Sequence, residues 1–206
     1  MIVNADDFGY SLGVNRGIIE AYEKGIVTST SVMVDGIGAH EAAELKKFPD
    51  LSLGLHLTFK NLVRIGPELH RQLEKFIHIV GAEPDHIDTH KIITTEGELK
   101  DILEAYCNLK GIPLRRHSGA QFIGTYFGPH ANDDLSPNML MKAIDEATDE
   151  YNEIMCHPGY SDDYLYENSS YNEQREAELK TLCDPEIKRY IADRGLELCN
   201  WRQMRL

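Results

Sequence analysis

Positive charge is scarce in this sequence. Its 206 residues carry 21 Lys and Arg against 34 Asp and Glu, a net charge of −13. Phosphate recognition draws its affinity from clustered Lys and Arg, and the basic doublets in "PLRRH" and "KK" are too sparse for a groove. That argues against a nucleic acid or an anionic membrane as partner and favours a neutral substrate. Long apolar runs are missing too, and none approaches the ~20 residues of a membrane span. Cysteine is limited to Cys107, Cys156, Cys183 and Cys199, with no C-x-x-C spacing. No secretory leader precedes the first apolar run, so free thiols in a reducing cytoplasm are expected. There is no internal repeat and no linker, which predicts a single domain over 1–206. A chain this long hides roughly 70 % of its unfolded surface and needs no covalent staple.

What is present is an alternation of short β-branched runs with helical stretches, the pattern of an α/β protein with a parallel sheet wrapped by helices. "MIVNAD" reads as the first strand. "SLGVNRGIIEAYEKG" reads as a helix capped by Ser11 and stopped by Gly25. Strands follow at "STSVMVDG", "LSLGLHLTF", "HIDTHK", "IPLRR", "AQFIGTYFG", "NEIMCHPG" and "LELCNW". Helices are predicted at "AHEAAELKKF", "PELHRQLEKFIHIVG", "GELKDILEAYCNLKG" and "SPNMLMKAIDEATDE", the last with Ser136 as cap. Two more are predicted at "NEQREAELKTL" and after Asp184-Pro185, and "YSDDYLYENSSYNEQ" reads as a polar loop. Seven or eight strand–helix units favour a closed or partly closed (β/α) barrel over an open sheet.

In such a barrel the active site lies at the C-terminal ends of the strands. Four strand ends carry reactive side chains: Asp6-Asp7, His56, Asp88 with His90, and His157. An Asp and two His from different strands suffice as a facial set for a divalent cation, with positions left open. One acid of the pair would then be a ligand, and its neighbour would be placed to take a proton from water. Neighbouring side chains on a regular strand point to opposite faces. Both acids therefore reach one site only if the strand breaks at Asp7, as Phe8-Gly9 permits. His40, His70 and His78 fall on predicted helices and His130 in a loop, away from this set.

"IVNADDFGYSLGVNRGIIEAYEKGIVTSTSVMV", "LGLHLT", "HIDTH", "EIMCHPGY" and "SSYNEQREAEL" together resemble the YdjC-like family, which includes the chitooligosaccharide deacetylases. The resemblance runs in order along the whole chain. It implies a distorted (β/α) barrel of the polysaccharide-deacetylase type. The implied activity is metal-dependent removal of N-acetyl groups from amino sugars or short N-acetylated oligosaccharides. It further implies Asp7, His56 and His90 as ligands of one divalent metal ion, Asp6 as general base and His157 as general acid. Arg175 would orient a site carboxylate by a bidentate pair. The donor set suits zinc, magnesium is admissible in the family, and a homodimer is a reasonable expectation.

Two departures stand out. Lys91 and Thr94 occupy positions where relatives frequently have His, and the stretch between His56 and His90 is compact. The residues by themselves leave open hydrolysis of another amide or ester. They also leave open a degenerate barrel that binds sugars without turnover, and a sugar isomerase with Lys91 as base. Tyr126, Phe127, Tyr160, Tyr164 and Tyr166 are placed in loops where flat rings would stack on a sugar.

Overall fold

The computed structural model describes residues 1–60, 62–91, 96–124 and 134–204. Six strands form one parallel sheet: β1 (Ile2–Phe8), β2 (Ser29–Val32), β3 (Ser52–Leu57), β4 (Ile87–Thr89), β5 (Gln121–Ile123) and β6 (Asn152–Cys156). Their order is β4-β3-β2-β1-β6-β5. Seven α-helices accompany them among the described residues: α1 (Leu12–Lys24), α2 (Ile65–Val80), α3 (Gly97–Lys110), α4 (Pro137–Asp145), α5 (Asp163–Asn168), α6 (Glu173–Leu182) and α7 (Pro185–Asp193). The sheet curls into a half-barrel with the helices packed around it. β1 lies at its centre, with all seven residues buried. Polar Asn4, Asp6 and Asp7 are thereby carried into the interior along with Val3, Ala5 and Phe8.

Two expected strands shrink to single bridges. "IPLRR" touches the sheet only through Leu114 beside Ile87, and "LELCNW" only through Cys199 beside Ile2. Pro113 precedes the first contact and lacks an N–H for a longer ladder. This accounts for six strands among the described residues where seven or eight were expected. The first bridge ties this segment to the β4 edge. Arg115 N donates to Ile87 O at the β4 edge, and the chain then enters β5 at the opposite edge. Residues 116–120 therefore span the open side of the half-barrel.

Local sequence explains most elements. Ser11 caps α1 by accepting from Val14 N, and Gly25 follows its last residue. Gly81 and Gly111 end α2 and α3 in the left-handed conformation. Other details differ from expectation. The stretch Ala39–Lys47 is a 3-10 helix rather than an α-helix. Ser136 starts α4 without a side-chain cap, and its own N–H is held by Asp134 Oδ1. The polar stretch after β6 contains the short helix α5, capped by Asp162. The four cysteines are unpaired, and none of the described helices is long and apolar enough to cross a membrane.

Helix α1 sets the position of the turn that carries His157. A Cβ on Gly17 would lie 2.4 Å from Gly159 Cα, so only glycine permits this approach. Gly17→Ala would gain about 1 kcal/mol of helix propensity. Overpacking against a rigid backbone costs about 1–3 kcal/mol and outweighs it. A lower melting temperature is expected in thermal denaturation; an unchanged or higher value would contradict this packing.

Candidate active site

The two adjacent acids are brought to one place by a bulge. The pairing of β1 with β2 shifts register between Ala5 and Phe8, and Asp7 takes the left-handed conformation with φ 74°. A non-glycine residue there costs about 1–3 kcal/mol. Local contacts hold it in place: Tyr10 N donates to Asp7 O and Met33 N donates to Phe8 O. The break expected at Asp7 is thus present.

Asp7 divides its carboxylate between Arg175 and two imidazoles. Oδ2 accepts from Arg175 Nη2 at 2.7 Å. Oδ1 lies 3.2 Å from His56 Nε2 and 3.0 Å from His90 Nδ1, and these two nitrogens are 3.3 Å apart. His56 sits on β3 directly opposite Asp88 on β4, and its Nδ1 is 2.6 Å from Asp88 Oδ1. That contact places the ring proton on Nδ1 and leaves Nε2 facing Asp7 and His90. His90 follows β4 and is anchored by its backbone N–H to Leu57 O.

Asp6 points elsewhere. Arg115 grips it with a fork, Nη1 to Oδ2 and Nη2 to Oδ1, both 2.7 Å, and Asn4 Nδ2 adds a third bond at 2.8 Å. The same guanidinium reaches Glu153 Oε1 on β6 from Nε at 2.7 Å and lies 3.0 Å from Asp88 Oδ2. His157 follows β6. Its backbone N–H donates to Glu178 Oε2 at 2.7 Å, its Nδ1 stands 4.0 Å from Glu178 Oε1, and Tyr171 donates to the same Glu178 oxygen.

Asp6, Asp7, His56, Asp88, His90, His157 and Arg175 thus gather at the C-terminal ends of β1, β3, β4 and β6. Arg175 binds Asp7 through one nitrogen rather than two, and its Nε donates to Tyr171 O. Lys91 is exposed, in the left-handed conformation with φ 60°, and is in neither of the two clusters of potential cation ligands. Thr94, Tyr126, Phe127 and His130 lie outside the described residues. Of the remaining tyrosines expected to stack, Tyr160 is bonded to Glu20 and Tyr166 is exposed. Tyr164 is set edge-on to Tyr10 at 6.0 Å. Tyr10 in turn lies 6.3 Å from the His90 ring.

The sequence reading missed Arg115, Glu153, Glu178 and Tyr10. Arg115 was visible only as half of a basic doublet. Glu153 carried a usable signal: an acid inside a buried strand, four residues before His157 and so on the same face by alternation.

The architecture is that of the carbohydrate esterase family 4 barrels. A family 4 carbohydrate esterase from Streptomyces lividans superimposes with a TM-score of 0.61 over 97 % of this chain and 90 % of its own, at 13 % identity. A protein of Enterococcus faecalis V583 superimposes at 0.84 over 100 % and 98 %, at 25 % identity. The chain belongs to the YdjC-like protein family, which it matches over residues 1–65 and 60–193. A chitooligosaccharide deacetylase of Serratia marcescens is 32 % identical over 99 % of this chain and 98 % of its own. A carbohydrate deacetylase of Geobacillus stearothermophilus is 33 % identical over 98 % and 96 %. The Serratia alignment runs over 251 positions, more than the 206 residues here, so that relative carries segments this chain lacks.

Burial and charge pull the site's protonation states apart. Burial would raise the Asp7 carboxyl, but Arg175, His56 and His90 hold it well below the usual range. Burial opposes charge on His56, yet Asp88, Asp6 and Asp7 prevail and push its pKa up to about 10 in the cation-free pocket. Burial pushes His157 down to about 4 against the pull of Asp7 and Asp6. Burial likewise pushes Glu153 up to about 7, with Arg115 opposing. An unfolded glutamate titrates near ~4.3. The stability Glu153 contributes is therefore full below that pH and is lost as pH rises through about 7. Between pH 6 and 8 the EDTA-treated protein should lose melting temperature more steeply than Glu153→Gln, which cannot ionise. Equal slopes would contradict this assignment.

Proposed function

We propose that the protein is a divalent-cation-dependent N-deacetylase of amino sugars or short N-acetylated oligosaccharides. The observation that carries the reading is the set of three donor atoms, Asp7 Oδ1, His56 Nε2 and His90 Nδ1, held 3.0–3.3 Å apart. Bonds of about 2.1 Å at angles of about 90 to 109° separate neighbouring ligand atoms by about 3.0 to 3.4 Å, so the set fits a cation such as zinc. Charge supports the same fit. The buried network has four carboxylates (Asp6, Asp7, Asp88 and Glu153) against the guanidinium groups of Arg115 and Arg175. With Glu153 ionised, above about pH 7, the excess is two negative charges, and with Glu153 protonated it is one; a protonated His56 offsets one when no cation is bound. Relatives named as deacetylases across nearly the full chain support the substrate class.

A bound divalent cation supplies a Lewis acid that lowers the pKa of water and polarises an amide carbonyl. The chain's own residues do the rest. Arg175 confines Asp7 Oδ2 so that Oδ1 faces the two imidazoles. Asp88 keeps His56 in the tautomer that offers Nε2. Asp6, one residue from Asp7, is the base that takes the proton from the attacking water, and Arg115 and Asn4 fix where it stands. His157 gives a proton to the departing amine. It is neutral in the resting pocket, so it draws that proton from solvent as negative charge develops on the amide oxygen nearby, and the proton that Asp6 took from the water returns to solvent. Tyr10, beside His90, and Tyr164, set against Tyr10, offer ring surface to the sugar.

The test is acetate release from di-N-acetylchitobiose after stripping with EDTA and reloading with zinc or magnesium. Release that requires the cation is expected; none with either cation would overturn the reading. Asp6→Asn should keep the bound cation and lose at least about 100-fold in kcat. Asp7→Asn should lose both cation and turnover. If Asp6→Asn lost the cation while Asp7→Asn kept it, the roles of the two acids would be exchanged.

A further inference from the structure

We propose that Glu153 is a positioning residue for this reaction: it fixes the Arg115 guanidinium in the orientation that holds Asp6 in place. The kinetic part of this proposal rests on the deacetylase reading; the structural part does not.

Arg115 stands on no regular strand. Its backbone meets the sheet through the single bridge beside Ile87, and its long side chain crosses the barrel interior to β1 and β6. Such a long side chain has many rotamers open to it, so its contacts must set its orientation. The end of the fork is taken by Asp6, with two bonds of 2.7 Å. An end-on fork fixes the axis between the two groups but leaves the guanidinium plane free to swing about it. The contact that removes this freedom is lateral: Glu153 Oε1 accepts from Nε at 2.7 Å and also lies 2.7 Å from Nη2. Asp88 Oδ2, at 3.0 Å from Nη2, makes no bond of hydrogen-bonding geometry.

Glu153 is suited to anchor this group. It lies on β6, in register with Ile2 of β1, the strand that carries Asp6. Both β1 and β6 are buried strands with pairing on either side, so the two ends of the Asp6–Arg115–Glu153 chain are rigid relative to each other. Only one oxygen of Glu153 is engaged, and Oε2 is buried without a hydrogen-bond partner among the described residues. Glu153 is also absent from the cation donor set, so its effect on turnover is separable from cation binding.

The experiment compares Glu153→Ala, Glu153→Gln and Glu153→Asp with the wild type, all loaded with cation. Glu153→Ala should lose about 100-fold in kcat, the scale of an ångström-sized misplacement of a reacting group. KM and bound cation should match the wild type. Gln keeps an acceptor oxygen where Oε1 stands and should restore most of the turnover; Asp keeps the charge but falls short of Nε and should not. Wild-type kcat in Glu153→Ala would overturn the proposal, as would a parallel fall of kcat, KM performance and cation content. If the Ala variant fails to fold, Gln against Asp decides, and full turnover with Asp but not Gln overturns it. If the wild type releases no acetate at all, the deacetylase reading fails alone. The Arg115 claim is then decided by exchange of the Arg115 Nε–H with water, followed by nitrogen-15 NMR. Slow exchange in wild type and Gln with fast exchange in Asp supports it, and equal exchange in all three overturns it.

Discussion

One guanidinium among three buried carboxylates is the contact on which the rest of this structure depends. Arg115 reaches Asp6 on β1, Asp88 on β4 and Glu153 on β6. β4 is one edge of the sheet, and β6 lies next to the other edge. The side chain therefore joins the two sides of a half-barrel whose strands do not close by backbone pairing, and it does so at the depth where the reactive residues sit. Bracing of the half-barrel and placement of the proposed base are two results of one set of charged contacts.

Stability alone does not account for such an arrangement. Apolar residues of similar volume in place of a buried ion network are often neutral or stabilising by about 1–4 kcal/mol, whereas removing one partner costs about 3–5 kcal/mol. A core built only to be stable would use leucines here. The network instead divides two neighbouring acids between different partners. Asp6 is held by Arg115 and Asn4, while Asp7 keeps one oxygen for the imidazoles of His56 and His90. The left-handed backbone at Asp7 makes the division possible, and the surplus negative charge that remains matches the charge of a divalent cation.

Much of this was legible in the sequence. Strand ends rich in Asp and His, read with the rule that barrel sites lie at the C-terminal ends, identified Asp6, Asp7, His56, Asp88, His90 and His157. The structure brings all of them together. The Asp-Asp-Phe-Gly run even pointed to the strand break, because both acids cannot face one site otherwise. What stayed hidden depends on contacts distant in the chain. Arg115 and Asp6 are 109 positions apart, and an arginine in an Arg-Arg doublet looks like any surface cation until the fold buries it. Glu178, which takes the His157 backbone N–H, lies on a helix whose acidic residues look solvated in sequence. The strand count erred for a local reason: Leu114 and Cys199 each contribute one bridge, and an apolar pattern does not distinguish one bridge from a strand.

The central claim is that the buried charge at the barrel mouth is completed by one cation held by Asp7, His56 and His90. Anomalous diffraction at the zinc edge, on crystals grown with zinc, tests it most directly. A single peak about 2.1 Å from Asp7 Oδ1, His56 Nε2 and His90 Nδ1 is the predicted result. No peak there at full zinc saturation, or a peak between Asp6 and Asp88 with Arg115 displaced, would contradict the account.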